Sequence, residues 1–338
     1  MQVKENFSLK KHNTFGIDAK ARFFAEIQSV SELKELLAQP DYPNKFILGG
    51  GSNMLITKDI DALVIYVNLK GITIVSQDEN EVTIKAMAGE NWHQFVLWTL
   101  DRDYGGLENM SLIPGNTGTA PIQNIGAYGS ELKDCFLSCE TIHRATQNKV
   151  VFLKKDCKFG YRDSYFKNEG KDQYVITSIT LKLTRKDHTL NMGYGTIKDE
   201  LQKNNIAEPT IRDISNAVIA IRNSKLPNPN EIGNSGSFFK NPVVSRAVFE
   251  KFIKENPKAP YYGISDSEYK IPAGWLIEQC GFKGKRYGDV GIHKKQALVL
   301  INHGNASGKE IFDLAKKIIH EVYTKFGISI IPEVNIIK

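Results

Sequence analysis

The stretch Lys45-Phe46-Ile47-Leu48-Gly49-Gly50-Gly51-Ser52-Asn53 runs from a strand-like apolar segment straight into three consecutive glycines. Without Cβ atoms, consecutive N–H groups can turn to one side, which makes such a loop a cradle for phosphate oxygens. The same stretch also reads as a tight surface turn. A second small-residue loop lies further along, Ile113-Pro114-Gly115-Asn116-Thr117-Gly118-Thr119-Ala120-Pro121-Ile122-Gln123-Asn124-Ile125-Gly126-Ala127-Tyr128-Gly129. Two cradles in one chain point to a long ligand carrying more than one phosphate, a dinucleotide rather than a mononucleotide. Neither the Lys-Ser/Thr pair of a P-loop nor the Gly-x-Gly-x-x-Gly spacing of a dinucleotide turn is present, so the ligand is expected in another fold.

Outward from these loops, runs rich in Val, Ile, Thr and Phe predict strands at residues 21–27, 46–48, 62–67, 81–86, 137–143 and 174–183. Only two helices, 30–37 and 91–101, interrupt them, which argues for α+β rather than a regular βαβ array. The strand signal lapses between 184 and 210, and a domain boundary is placed there. Beyond it, residues 211–224 read as a helix with Ile214, Val218 and Ile221 on one face. Ser307 and Glu310 form a capping-box signature for a long helix carrying Ile311, Leu314, Ile318, Val322 and Tyr323. Gly327 ends that helix, and two strand-like runs follow at 328–331 and 334–337, joined at Pro332-Glu333.

The 338 residues suffice for two or three domains, with the apolar and charged fractions of an ordinary globular protein. The net charge of +6 is scattered, without the dense Lys/Arg run of a nucleic-acid binder. Cys135, Cys139, Cys157 and Cys280 lack Cys-x-x-Cys spacing, so reduced, mostly buried thiols are expected. The seven histidines never fall at ligand spacing, and no metal is expected. A polar N-terminus and the absence of a membrane-length apolar run place the chain in the cytoplasm, without membrane insertion.

Three segments carry candidate chemistry. Gly160-Tyr161-Arg162-Asp163-Ser164 sets an arginine among aromatics; the guanidinium suits an anion, or simply stacks on Tyr161 or pairs with Asp163. Ser237, in Gly233-Asn234-Ser235-Gly236-Ser237-Phe238-Phe239, is either a proton donor or a turn serine bonding its own backbone. Glu333 is an edge charge or a carboxylate drawn into a site.

Taken together and in order, Asn13-Thr14-Phe15-Gly16, the two loops, residues 159–166, 222–242 and 273–281, and Pro332-Glu333-Val334 closely resemble the UDP-N-acetylenolpyruvoylglucosamine reductases, in their longer subtype with a tyrosine loop. The resemblance covers nearly the whole chain. It implies a two-lobed FAD-binding domain of the PCMH/vanillyl-alcohol-oxidase type over 1–210, with lobes of about 1–60 and 61–210. A smaller α+β substrate-binding domain would follow at 211–327, and the C-terminal strand, 328–338, would pack back near the site.

The implied cofactor is FAD, with NADPH as co-substrate. Gly49, Gly50, Gly51, Ser52 and Asn53 would wrap its pyrophosphate, while Ile113, Pro114, Gly115, Gly118, Ile122, Gly126 and Ala127 would line it toward the ring. Ser52 stands where related oxidases often carry a tethering histidine, so the flavin is expected to be non-covalent. The implied reaction reduces the enolpyruvyl group of UDP-N-acetylglucosamine enolpyruvate to UDP-N-acetylmuramate for peptidoglycan synthesis. Arg162 and Glu333 would flank the substrate carboxylate, and Ser237 would supply the proton. Lys225, Asn241, Tyr262, Lys283 and Gln296 would hold the nucleotide, supported by Arg222, and Tyr194 would close over the diphosphate. The chain departs from the family at Asn116-Thr117 and at Asn335, where arginine is frequent. A flavin-dependent sugar or lactone oxidase and a non-catalytic nucleotide-sugar-binding protein stand as alternatives. A monomer is expected.

Overall fold

The computed structural model describes residues 2–193 and 195–338, and its contacts divide the chain into two units that exchange strands of sequence several times. The first unit is built from Ala21–Gly50 and Ile60–Ser224, with the N-terminal residues up to Phe7. The second takes Ser8–Lys20, Gly51–Asp59 and Lys225–Lys338.

The first unit contains two sheets. One has the order Lys4–Ser8, Lys20–Ile27, Ile60–Val67, Lys45–Leu48, with parallel pairing on both sides of Ile60–Val67. From Leu63 to Val67 that strand is covered on both faces, which is why this part reads as an unbroken apolar run rather than an alternation. The helix Val30–Ala38 covers the sheet with Leu33, Leu36 and Leu37. It starts where the sequence says it should: Ser29 accepts from the Glu32 amide, and the Glu32 carboxylate reaches back to the Ser29 amide.

The other sheet is antiparallel, in the order Lys149–Leu153, Phe136–His143, Tyr174–Thr184, Glu81–Met87, Ile72–Gln77. Alternation along Glu81–Met87 turns Val82, Ile84 and Ala86 inward. They meet Trp92, Phe95 and Val96 of the helix Trp92–Leu100, each large side chain contributing roughly 1.5–3 kcal/mol of burial. The seam between the sheets falls between Val67 and Ile72, not near residue 60, because Ile60–Val67 is an interior strand of the first sheet.

The expected domain boundary at 210 also moves. Helix Ile211–Lys225 buries Ile214, Val218 and Ile221 against Ile197 and Leu201 of helix Gly195–Lys203, and Tyr128 packs on the same cluster. A buried hydroxyl pair, Ser111 and Ser215, adds a 2.7 Å hydrogen bond. The helix therefore belongs with the first unit up to Ser224.

The second unit contains two three-stranded antiparallel sheets. One is Val243–Ser245, Glu268–Lys270, Tyr262–Gly263; the other is Arg286–Tyr287, Val290–Ile292, Leu300–Asn302. Its helices are Arg246–Glu255, Ala273–Gln279 and Gly308–Phe326. The last bears out the expected capping box at Ser307 and Glu310 and stops at Gly327. Ile311, Leu314, Ile318 and Val322 are buried as expected, but Tyr323 is exposed.

At the C-terminus only Asn335–Ile337 is a strand, parallel to Met54–Ile56. Residues 328–331 form no ladder. Pro332 has no amide to extend one, and the segment instead touches Phe239 through a single bridge at Pro332.

Candidate active site

In the first unit the two small-residue loops meet. A Cβ built on Gly50 would stand 2.9 Å from the Gly115 Cα and from Asn116 Oδ1, and one on Gly49 would stand 2.5 Å from Thr119 Cγ2. Neither space can hold a side chain. Gly118 is pressed against Ala88 in the same way. The amides of Gly49, Gly50 and Gly51 donate no hydrogen bond among the described residues, so they stand ready for an external acceptor. This donor set fits a pyrophosphate, and no histidine or cysteine occupies residues 49–53 to tether a flavin.

The second loop is held from several directions. Residues 117–123 form a 3-10 turn; Trp92 N–H donates to Gly115 O at 2.9 Å, Thr117 N–H to Glu90 O, and Gly118 N–H to Ala88 O. Thr117 Oγ1 also donates to Met87 O at 2.6 Å. Asn116 hydrogen-bonds the Tyr66 phenol, so the two residues that depart from the family's usual pair are both engaged in holding the loop. Of the expected lining, Ile122 is 37% exposed and Ile113 half-buried, while Gly126 is buried.

Arg162 hangs from that loop. Gly160 and Asp163 exchange both backbone bonds across a tight turn, and Arg162 sits in it at φ 54°, a left-handed conformation that costs a non-glycine residue on the order of 1 kcal/mol. Strain of this kind persists only where the surroundings over-determine it. Here Asn124 Nδ2 donates to Gly160 O at 3.0 Å and Ser164 Oγ to Ile122 O at 2.6 Å.

Near Arg162 lies Arg222, and the two guanidiniums repel. Burial lowers the Arg222 pKa, Tyr128 offsets part of this, and Arg162 adds to the lowering. Among the described residues, the buried Arg222 Nε has no hydrogen-bond partner. Two cations held together, one of them incompletely paired, form an anion-attracting corner.

In the second unit, backbone pairing ties the segment that follows Ser237 to the one that carries Glu333. Glu333 N–H donates to Phe238 O at 2.8 Å, Phe239 bridges Pro332, and Lys240 N–H donates to Ile331 O at 3.0 Å. Phe238 and Phe239 are buried beneath, which fixes the segment, and Phe238 N–H donates to Leu298 O. Ser237 itself stays half-buried, and Glu333 is engaged within the chain.

Four of the expected substrate residues, Asn241, Tyr262, Lys283 and Gln296, line one cavity of about 350 Å³ together with Trp275 and Lys295. Asn241 Oδ1 caps the amide of Ala273, and Lys283 pairs with Glu278 at 2.9 Å. Lys225 is exposed. Tyr194 lies outside the described residues.

One element of the resemblance was given no role from the sequence. Asn13-Thr14-Phe15 is a brace inside the second unit: Thr14 N–H donates to Gly51 O, Asn234 N–H to Thr14 O, and Asn302 Nδ2 to Phe15 O at 2.9 Å. It links the end of the glycine loop to the turn that presents Ser237. Asn335 does related work, its amide and Nδ2 both donating to Asn53 O, so replacing arginine there gives a tether. A buried polar run near an N-terminus was the available signal, but nothing in it named its partners.

A family model described as an FAD binding domain matches residues 21–146. With the glycine cradle above, the fold and site define a flavin-dependent oxidoreductase of α+β architecture. A second model, the C-terminal domain of UDP-N-acetylenolpyruvoylglucosamine reductase, matches residues 228–337. The chain is 58% identical to the UDP-N-acetylenolpyruvoylglucosamine reductase of Flavobacterium johnsoniae, over 100% of both chains. It is 44% identical to that of Pseudomonas putida, over 99% of each. The crystal structure of the Thermus caldophilus reductase superposes with a TM-score of 0.71 at 22% identity, covering 100% of both chains, a likeness of fold. The chain belongs to the UDP-N-acetylenolpyruvoylglucosamine reductase family, FAD enzymes of peptidoglycan synthesis that use NADPH.

Proposed function

We propose that this chain reduces the enolpyruvyl ether of UDP-N-acetylglucosamine enolpyruvate to UDP-N-acetylmuramate, with Ser237 as the proton donor. FAD, held by the loops at residues 49–53 and 113–127, would supply the vinyl CH₂ carbon with hydride drawn from NADPH. The electron pair of the double bond then rests on the carbon that bears the carboxylate. Arg162 and Glu333 polarise that carboxylate and stabilise the charge, and preorganised groups of this kind are worth several kcal/mol. Ser237 Oγ–H gives its proton to the same carbon, leaving the lactyl ether. An alcohol is a weak acid, but the carbanion is a far stronger base, so the transfer runs downhill.

Lys225, Asn241, Tyr262, Lys283 and Gln296 hold the nucleotide, Arg222 supports them, and Tyr194 covers the diphosphate. The protein acts as a monomer in the cytoplasm, so that it serves cell-wall growth, cell shape and division. Among the described residues no helix is long and apolar enough to cross a membrane. The observation that supports the reading is the backbone pairing of Phe238 with Glu333 and of Phe239 with Pro332, directly after Ser237, in a chain related to the reductases along its whole length.

An anaerobic titration tests it. The purified protein is expected to be yellow, to bleach with NADPH, and to recover colour only when the enolpyruvyl sugar nucleotide is added. Prompt recovery in air with indifference to the sugar nucleotide would turn the reading toward an oxidase; a protein that takes up no flavin would end it.

A further inference from the structure

The segment Glu90-Asn91-Trp92-His93 has no role in the function above, yet it grips the whole approach to the flavin loop. Trp92 Nε1 donates to Met110 O at 3.0 Å, Trp92 N–H to Gly115 O, and Thr117 N–H to Glu90 O. Between these holds stands Leu112, a branched-γ residue at φ 59°, a conformation that favours glycine. Its amide donates to His93 Nδ1 at 3.0 Å. The next three residues, Ile113-Pro114-Gly115, begin the loop that packs on Gly50.

We infer that His93 is a positioning residue for FAD binding: its Nδ1, as acceptor, holds Leu112 in the left-handed turn and so sets the path of the flavin loop. An imidazole whose Nδ1 accepts must be neutral, with its proton on Nε2. The surroundings favour that form, since burial and then the nearby Arg222 charge lower the His93 pKa. The acceptor sits at the δ position of the side chain. Asparagine carries an oxygen there, whereas glutamine carries its polar atoms one bond further out. The two amides thus separate a role for Nδ1 from mere bulk or polarity.

The inference rests on the FAD reading, and the experiment keeps the two apart by measuring FAD affinity of the wild-type protein first, after removal and return of the flavin. Failure of the wild type to bind FAD would overturn both. With binding established, His93→Gln and His93→Leu are expected to weaken FAD by about tenfold or more, the consequence of a partly buried amide left without an acceptor. His93→Asn is expected to stay within about threefold of wild type. Adding Leu112→Gly to His93→Gln should restore most of the affinity, because glycine takes the left-handed turn unaided. Equal behaviour of the Asn and Gln variants would overturn the proposal. So would a Leu112→Gly addition that leaves the defect unchanged, or three single variants that all retain FAD like wild type. Should a variant fail to fold, judged by far-UV circular dichroism of the flavin-free protein, the Leu112→Gly pair decides, since restored folding and binding supports the role and their absence overturns it.

Discussion

The meeting of Gly49 and Gly50 with the second small-residue loop in the first unit, and the Ser237–Glu333 segment of the second, are built by opposite means. The first is a backbone device: glycines at residues 49, 50 and 118 let chain press on chain until no side chain fits between. The second is a side-chain device on the proposed reading, in which two short, non-sheet segments pair at buried Phe238 and Phe239 and carry the proposed groups Ser237 and Glu333. A site made of backbone fails by losing its ligand or its fold, while one made of side chains loses chemistry and keeps its shape.

That contrast breaks first at Ser237. Ser237→Ala is expected to leave reduction by NADPH near normal and to slow reduction of the sugar nucleotide by about a thousandfold, read as separate half-reactions in a stopped-flow spectrophotometer. Equal loss in both halves would erase the distinction. Next in size is Gly50→Ala. Its methyl meets the Gly115 backbone, and overpacking of this sort costs about 1–3 kcal/mol, so FAD content and melting temperature should fall together. Rates per bound flavin should change little. Lys283→Ala sharpens the second half of the comparison: loss of a charged contact from the cavity should raise the KM for the sugar nucleotide about tenfold with little effect on kcat.

The smallest effect is a matter of pH. His93 is held below its ordinary value of 6.5, so the unfolded chain binds the proton more readily than the folded one. The stability linked to His93 is therefore complete above about pH 6.5 and is lost as pH falls below it. Arg222 is the charged group that adds to this shift. Melting curves between pH 7 and pH 5 should show wild type losing more stability than His93→Asn. Parallel curves would mean that the ring is equally comfortable charged.

The same two regions differ in how far sequence alone could read them. Residues 21–27, 81–86 and 174–183 announce themselves because runs of six or more residues rich in β-branched or aromatic side chains leave few other options, and Ser307 with Glu310 marks a helix start by local bonding. In the second unit the strands are two or three residues long, too short for any periodicity to register. The apolar run 328–331 looked like a strand for the right local reasons and lost its ladder to Pro332. The meeting of Gly50 with Gly115 was implied only in that both loops were small; the brace formed by Asn13-Thr14-Phe15 was not legible at all. Backbone carbonyls accept those bonds, and every residue type carries one.

That brace has a consequence for the order in which the protein is made. A ribosome emitting this chain releases residues 8–20 early, yet their partners Asn234 and Asn302 emerge only after most of the polypeptide has been synthesised. At a translation speed of about 5–20 residues per second, the segment waits on the order of ten seconds or longer. The larger unit can begin to fold behind it, but the C-terminal one is completed only when an early segment is recruited to late ones. A fragment starting at Lys225 would lack both borrowed pieces and should be a poor candidate for independent expression.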